Sequence, residues 1–259
     1  MKRVVMIVGG VLLLLVIAAG AIVATTFMGR RPVQDGAEIS GARIVADGIV
    51  SAAVIPLGDG HVALVDAGND SEAKALLADL SRRGMGPDAV SAILLTHGHA
   101  DHIGGVARFP NAQVMALEAE VPLAEGRVGA RGPATRLFPV SPTGIRVSRP
   151  LHDGESIQLG NVTAQVFALE GHTGGSAAYL INGLLFVGDS ADTSSDGHLI
   201  PSAWIFSDSQ AQNRASLARL DARLRAARLP VQAIVPAHSG AMTDGLTQLD
   251  AFASSAAAR

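Results

Sequence analysis

Four side chains able to bind a metal fall within six positions of this chain, in Thr96-His97-Gly98-His99-Ala100-Asp101-His102-Ile103-Gly104-Gly105. They follow directly on the apolar run Val90 to Leu95. Side chains two apart share one face of a strand, so His97 and His99 leave the strand end pointing the same way. Asp101 and His102 lie just beyond, where the chain turns, and Gly104-Gly105 lets the backbone stay tight there. Imidazole nitrogens and carboxylate oxygens are the donors that zinc takes, usually four at a time. A His-rich surface loop is the alternative, but imidazoles left unpaired beside an apolar strand would be costly. The motif therefore demands a strand end, a tight turn and further ligands from elsewhere in the chain.

The rest of the chain can supply them. Its 259 residues leave room for one large domain with a substantial core, net charge is −3, and there is no cysteine. The lack of cysteine removes disulfides, Cys₄ zinc sites and a thiol nucleophile together. The mild acidic balance argues against a nucleic-acid partner, which calls for a basic stripe. Residues 4–29 hold no charged side chain and include Val11-Leu12-Leu13-Leu14-Leu15-Val16-Ile17. That is long enough for a bilayer-crossing helix of about 20 residues. The apolar part of a cleaved signal peptide usually runs only about 7–15 residues, which favours an uncleaved single-pass anchor. Lys2-Arg3 before the segment and Arg30-Arg31 after it nearly balance. The free amino terminus tips the orientation toward N-terminus inside. The expectation is a cell-membrane protein whose domain lies on the extracytoplasmic, periplasmic side. Residues 1–31 are then anchor or signal segment, 32–41 a linker, and 42–259 the folded domain.

Within that domain apolar, β-branched runs alternate with turn signals. Arg43 to Ala46, Val50 to Leu57 and His61 to Asp66 are separated by Asp47-Gly48 and Gly58-Asp59-Gly60, which implies two hairpins. Asp70 or Ser71 can cap a helix running to about Arg83, with Ala73, Leu76, Leu77 and Leu80 on its buried face. Residues 118–145 carry no clear period: Glu118 and Glu120 can open a helix, and Gly126 to Pro142 is a long Gly-, Pro- and Arg-rich loop of the kind that often serves function. The second half repeats the plan. Glu155 to Leu159 pairs with Val162 to Leu169, and Ala177 to Ile181 with Leu184 to Val187 across Asn182-Gly183. An amphipathic helix covers 208–228, the strand Val231 to Val235 follows, and a last helix begins near Thr243. Three more metal-capable residues, His172, Asp189 and His238, each come just after an apolar strand.

The order HxHxDH, then His, then Asp, then His resembles the metallo-β-lactamase-fold hydrolase superfamily over about residues 42–245. The resemblance implies an α/β fold, a four-layer αββα sandwich of two similar halves, here preceded by one transmembrane helix. It implies two zinc ions per chain, one held by His97, His99 and His172, the other by Asp101, His102 and His238, with Asp189 bridging. Iron stays open as the metal, since a ligand set alone does not choose it. The Asp-x-Gly at Asp66 implies a residue behind the metal centre that braces the ligand loop. Two such ions can share a hydroxide that attacks a carbonyl, with Asp101 orienting it and moving its proton. No Ser-His-Asp triad is needed; Ser176 and Ser239 read as loop or cap residues.

Substrate choice follows less directly. True metallo-β-lactamases of this resemblance usually place Cys or Ser at the position of Asp189, so Asp189 points to the glyoxalase II-like, lactonase-like and esterase or thioesterase branches. The chain after His238 is too short for the helical glutathione-binding extension of glyoxalase II. The expected substrate is a small ester, thioester or lactone. The alternatives are a β-lactam, a mononuclear-iron oxygenase of the same fold, or a non-catalytic metal-binding membrane module. Trp204 and Phe206, in the loop after Asp189, are candidates for an apolar substrate wall, core packing being the other reading of Trp204, and His198 is placed where it could reach the pocket. The sequence carries no signal for an oligomeric state.

Overall fold

Each half of the chain builds one sheet, and the two sheets share a core. This computed structural model describes residues 2–257, without the side chains of residues 2–8, 11, 12, 15, 19, 23, 256 and 257. Helix α1 covers Lys2–Phe27. A seven-stranded sheet follows: β1 (Glu38–Ile39), β2 (Ala42–Asp47), β3 (Val50–Gly58), β4 (His61–Val65), then α2 (Lys74–Arg82), β5 (Val90–Leu94), α3 (Ala100–Ile103), β6 (Gln113–Leu117), α4 (Val121–Ala124) and β7 (Arg149–Leu151). Its strands stand in chain order from β1 to β7. The first pairings are antiparallel hairpins, and those from β4 to β7 are parallel. The second half forms β8 (Ser156–Leu159), β9 (Val162–Ala168), β10 (Ala177–Ile181), β11 (Leu184–Gly188), a small hairpin β12 (Ala191–Thr193) and β13 (Leu199–Pro201), then α5 (Gln210–Ala226), β14 (Ala233–Pro236) and α6 (Gly245–Ala257). Its five-stranded sheet has the order β14-β11-β10-β9-β8, with β14 parallel to β11.

Strand periodicity explains the layering. Alternate residues of each strand face a central core that joins the sheets, among them Ile55, Leu94, Met115, Val166, Tyr179 and Phe186. The opposite face of the first sheet buries Leu64 and Ile93 against Leu76 and Leu80 of α2. The opposite face of the second buries Leu180 and Leu185 against Leu217, Leu220 and Leu224 of α5 and Leu249 of α6. Helices, sheet, sheet and helices are thus four layers, as expected. Each such aliphatic or aromatic side chain contributes about 1.5–3 kcal/mol when fully buried.

Local sequence sets the turns. Asn182 and Gly183 both take positive φ, 50° and 80°, the conformation a two-residue hairpin loop requires. Helix α2 starts later than its spacing suggested. Asp70 spends its carboxylate on the backbone N–H groups of Glu72 and Lys74, and Ala73 sits in the left-handed region at φ 48°. The helical period therefore begins only at Lys74. Helix α5 opens with the Ser209 hydroxyl accepting from Gln212 N.

Among the described residues no helix is long and apolar enough to cross a membrane. The span expected over residues 4–29 lies partly outside the described side chains, and those that are described do not support it. The chain that follows α1 is tied to the domain: Arg31 N donates to Thr193 O, and Gly240 N donates to Arg31 O.

Candidate metal centre and active-site cavity

The motif loop leaves β5 and is tied to the opposite sheet immediately. Tyr179, fully buried, donates its hydroxyl to Leu95 O at 2.7 Å, and Ala177 N donates to Thr96 O at 2.8 Å. These two bonds bring the loop at the end of β5 against the loop between β9 and β10, which carries His172. Asp189 and His238 arrive together for a different reason: they follow the parallel neighbours β11 and β14, whose ends pair at Gly188 and Pro236. The turn after His102 is possible only with glycine. A Cβ on Gly104 or Gly105 would stand 2.5 Å from the carbonyl oxygens of Asn69 or Ala67.

All seven expected ligands converge in two adjacent groups. In the first, His97 Nε2, His99 Nδ1 and His172 Nε2 form a triangle with sides of 3.0, 3.1 and 3.0 Å. In the second, His238 Nε2 lies 3.1 Å from Asp189 Oδ2 and 3.2 Å from Asp101 Oδ2. His102 Nε2 lies 3.0 Å from Asp189 Oδ1. Asp189 also stands 3.5 Å from His172 Nε2 and so touches both groups.

Four of the five far ring nitrogens have their own partners, and His99 Nε2 is buried without one. His102 Nδ1 donates to Asp66 Oδ2 at 2.8 Å, and His238 Nδ1 to Ile49 O at 2.7 Å. His172 Nδ1 pairs with Ser207 Oγ at 3.1 Å and His97 Nδ1 with Thr96 Oγ1 at 3.2 Å. Such partners fix the tautomer and turn the Nε2 lone pair inward. Asp66 joins His102 to Thr96 of the motif loop. It is held in the left-handed region at φ 60°, and its carboxylate also accepts from Thr96 N and Thr96 Oγ1 at 2.7 Å each. Backbone strain of this kind persists only where surrounding bonds over-determine it.

These donors fit a metal. Although 3.0 Å apart, His102 Nε2 and Asp189 Oδ1 are not aligned to hydrogen-bond, and both are buried without a partner. Three imidazole nitrogens facing each other cannot all be satisfied by shared protons. Their separations approach the roughly 3.3 Å edge of a tetrahedron with bonds of about 2.0–2.1 Å.

The two groups differ in protonation. Burial first, then neighbouring histidines, hold His97 well below its ordinary pKa, and burial takes His172 down to about 3. Burial would likewise lower His102 and His238, but Asp189 and its neighbouring carboxylates outweigh it. His102 is raised well above its ordinary value and His238 to about 10. Asp189, which burial alone would raise, is lowered far by His238 and His102. The first group is thus already deprotonated at neutral pH, whereas the second must release a proton from each of two histidines to bind a cation. Acidification from pH 8 to 6 should strip metal from the second group first. Its affinity should fall by up to about 100-fold per pH unit, while that of the first stays nearly flat. Metal content measured after dialysis across that range checks this; parallel loss from both groups would contradict it.

Both groups open into a cavity of about 350 Å³. His99, Asp101, Asp189 and His238 line its polar end, and Ile49, Leu123, Phe138 and Phe206 contribute apolar wall. The long loop 126–143 thus acquires a place, since Gly126, Ala130 and Thr143 also border this space.

A search of family sequence profiles matches residues 45–238 to the metallo-beta-lactamase superfamily. The chain belongs to that superfamily. Hydroxyacylglutathione hydrolase of Aliivibrio salmonicida (strain LFI1238) is 35% identical over 145 residues, 54% of this chain and 46% of the relative. Its counterpart from Xanthomonas axonopodis pv. citri (strain 306) is 36% identical over 134 residues, 51% of this chain and 42% of the relative. The chain thus spans less than half the length of these curated relatives. Among solved structures, the metallo-beta-lactamase MIM-1 from Novosphingobium pentaromativorans superposes with a TM-score of 0.63 at 23% identity, covering 89% of each chain. At that identity the likeness is one of fold.

Against this superfamily framework, two expected wall residues fall elsewhere. His198 sits at the turn of the β12–β13 hairpin, which carries it toward α6; it is exposed and faces Gln248 and Asp196. Trp204 is 54% exposed, neither core nor wall, because the single helical turn Trp204–Phe206 directs Phe206 into the cavity and Trp204 away from it. One residue of importance escaped the sequence reading. Glu120, buried at the foot of the ligand loops, accepts from Gly98 N at 2.7 Å, Thr173 Oγ1 at 2.9 Å and Gly175 N at 2.9 Å. Burial raises its pKa to about 7. Nothing in the run Glu118-Ala119-Glu120 separates it from its exposed neighbour Glu118.

Proposed function

We propose that this protein is a dinuclear zinc hydrolase that cleaves a small ester, thioester or lactone. The observation that carries the reading is the pair of convergent donor groups, with Asp189 between them, at the polar end of one largely apolar cavity. When bound, the metal pair supplies an acidified water nucleophile and a Lewis acid for the scissile carbonyl. The chain's own residues do the rest. Asp101 borders the cavity with Oδ2 held by His238, in position to orient a water, take its proton and pass it to the leaving group. Ile49, Leu123 and Phe206 exclude bulk water and receive the apolar part of the substrate. The likeness to hydroxyacylglutathione hydrolases supports a thioester among the candidates, and a β-lactam is the competing substrate.

A panel of a thioester, a lactone, an aryl ester and a chromogenic cephalosporin separates these readings. Turnover of one of the first three supports the proposal. Turnover of the cephalosporin alone would replace it with the β-lactam reading, and metal without any turnover would favour a non-catalytic module. On the charge-free run 4–29 alone we also place the domain outside the cytoplasm on a single anchor. Protease added to intact spheroplasts should then cut the domain along with a periplasmic control, and an uncut domain would overturn that placement.

A further inference from the structure

The cavity contains a cation that the chemistry above does not use. Arg30 lines it beside Asp192, and among the described residues no other arginine or lysine does so. The Arg30 side chain is only 7% exposed, although it lies just after α1 and before the first strand. The flanking backbone fixes it there. Arg31 N donates to Thr193 O at 2.8 Å, and Ser195 N donates to Gly29 O at 2.6 Å, so Arg30 forms an isolated antiparallel bridge with Ser194 at the end of β12.

Its donors are only partly satisfied. Nη2 pairs with Asp192 Oδ2 at 3.0 Å, while Nε and Nη1 are buried with no acceptor. Asp192 is engaged elsewhere as well, accepting from Ser239 Oγ through Oδ1. The guanidinium carbon lies over the Phe27 ring, 4.7 Å from its centroid, and Phe27 in turn packs on Phe206 and His238. A buried, charged donor without an acceptor is costly, and the acceptor that best offsets a guanidinium is itself charged.

We propose that Arg30 is a specificity-determining residue that receives a carboxylate of the substrate, so that the preferred substrate is an acyl compound carrying an acidic group at its end remote from the scissile bond. This rests on the reading of the cavity as a hydrolytic site. Arg30 and the candidate metal centre line the same cavity, and the Phe27 ring is in contact with both Arg30 and His238, with Phe206 as apolar lining beside it.

Two esters of equal acyl length test it on the full chain, mono-4-nitrophenyl glutarate and the neutral 4-nitrophenyl pentanoate. The wild type should prefer the charged ester, and Arg30→Met should lower that preference about 10–100-fold, chiefly through KM. Arg30→Met also deprives buried Asp192 of its partner. Arg30→Lys, which keeps the charge and that pair, guards against a variant that fails to fold; it should lower the preference about tenfold. An equal loss on both esters, or an unchanged ratio in Arg30→Lys and Arg30→Met, would overturn the proposal while leaving the hydrolase reading in place. If the wild type turns over neither ester, the hydrolase reading is what has failed for this class. Calorimetry of the metal-free full chain with monomethyl glutarate then decides the role of Arg30. Binding weakened about tenfold or more in Arg30→Lys sustains it, and binding that is undiminished there, or absent in the wild type, overturns it.

Discussion

Replacing Asp101 by asparagine should lower turnover by about 100-fold or more while leaving the fold intact. The substitution is nearly isosteric, and Asp101 is a partly exposed residue at the first turn of α3 rather than a core residue. What it removes is the capacity to take a proton. The wild-type carboxylate is kept ionised although burial opposes it, because His102 and His238 pull its pKa below the ordinary value. An amide in the same place still faces His238 but cannot accept and return a proton. The other six candidate ligands remain, so metal content should fall far less than activity. Steady-state kinetics and metal analysis on the same preparation check this. Unchanged turnover would remove Asp101 from the mechanism, and loss of metal in proportion to activity would reduce it to a ligand.

Glu120→Ala should be the most destabilising single change near the site. It leaves Gly98 N, Gly175 N and Thr173 Oγ1 buried around a void, each having lost its acceptor. An unsatisfied buried donor costs about 1–3 kcal/mol. Partial relaxation and entry of a water offset some of this, and a net loss of about 3–5 kcal/mol is expected. For a chain of this size that is a fall in Tm of roughly 10 °C. The effect should reach function, because the carboxylate clamps the loop between His97 and His99 to the loop that carries His172. Glu120→Gln keeps one acceptor oxygen but turns an NH₂ toward backbone N–H groups, and should lie between the two. Calorimetric melting of the three proteins is the check; a Tm within 2 °C or so of wild type for the alanine variant would contradict the clamp.

These two residues also mark what sequence reasoning reaches. Asp101 was legible because His97, His99, Asp101 and His102 are crowded into one short run, where local geometry alone brings them together. His172, Asp189 and His238 were legible for a weaker but similar reason: each closes an apolar strand, and strand ends in stacked sheets share an edge. Glu120 and Arg30 offer no such pattern. Glu120 meets partners 22, 53 and 55 positions away, and these distances become contacts only once the two sheets are docked. Arg30 lies in a segment that reads as the flank of an apolar helix, and its partner Asp192 is brought by the second half of the chain. The loop 118–145 has neither helical nor strand period, so its role as cavity wall emerges only from tertiary contact. Trp204 and Phe206 show how fine the missing information is. They are two positions apart, equally apolar in sequence, and one helical turn sends them to opposite environments.

The central claim is that two metal ions occupy the convergent donors and are required for hydrolysis. Zinc per chain in the purified full-length protein, measured alongside hydrolysis of the ester and thioester before chelation, after it, and after zinc is restored, addresses this directly. The account predicts two zinc ions per chain, activity abolished by chelator, and activity regained in step with the metal. One ion or none per chain with undiminished, chelator-resistant turnover would contradict it.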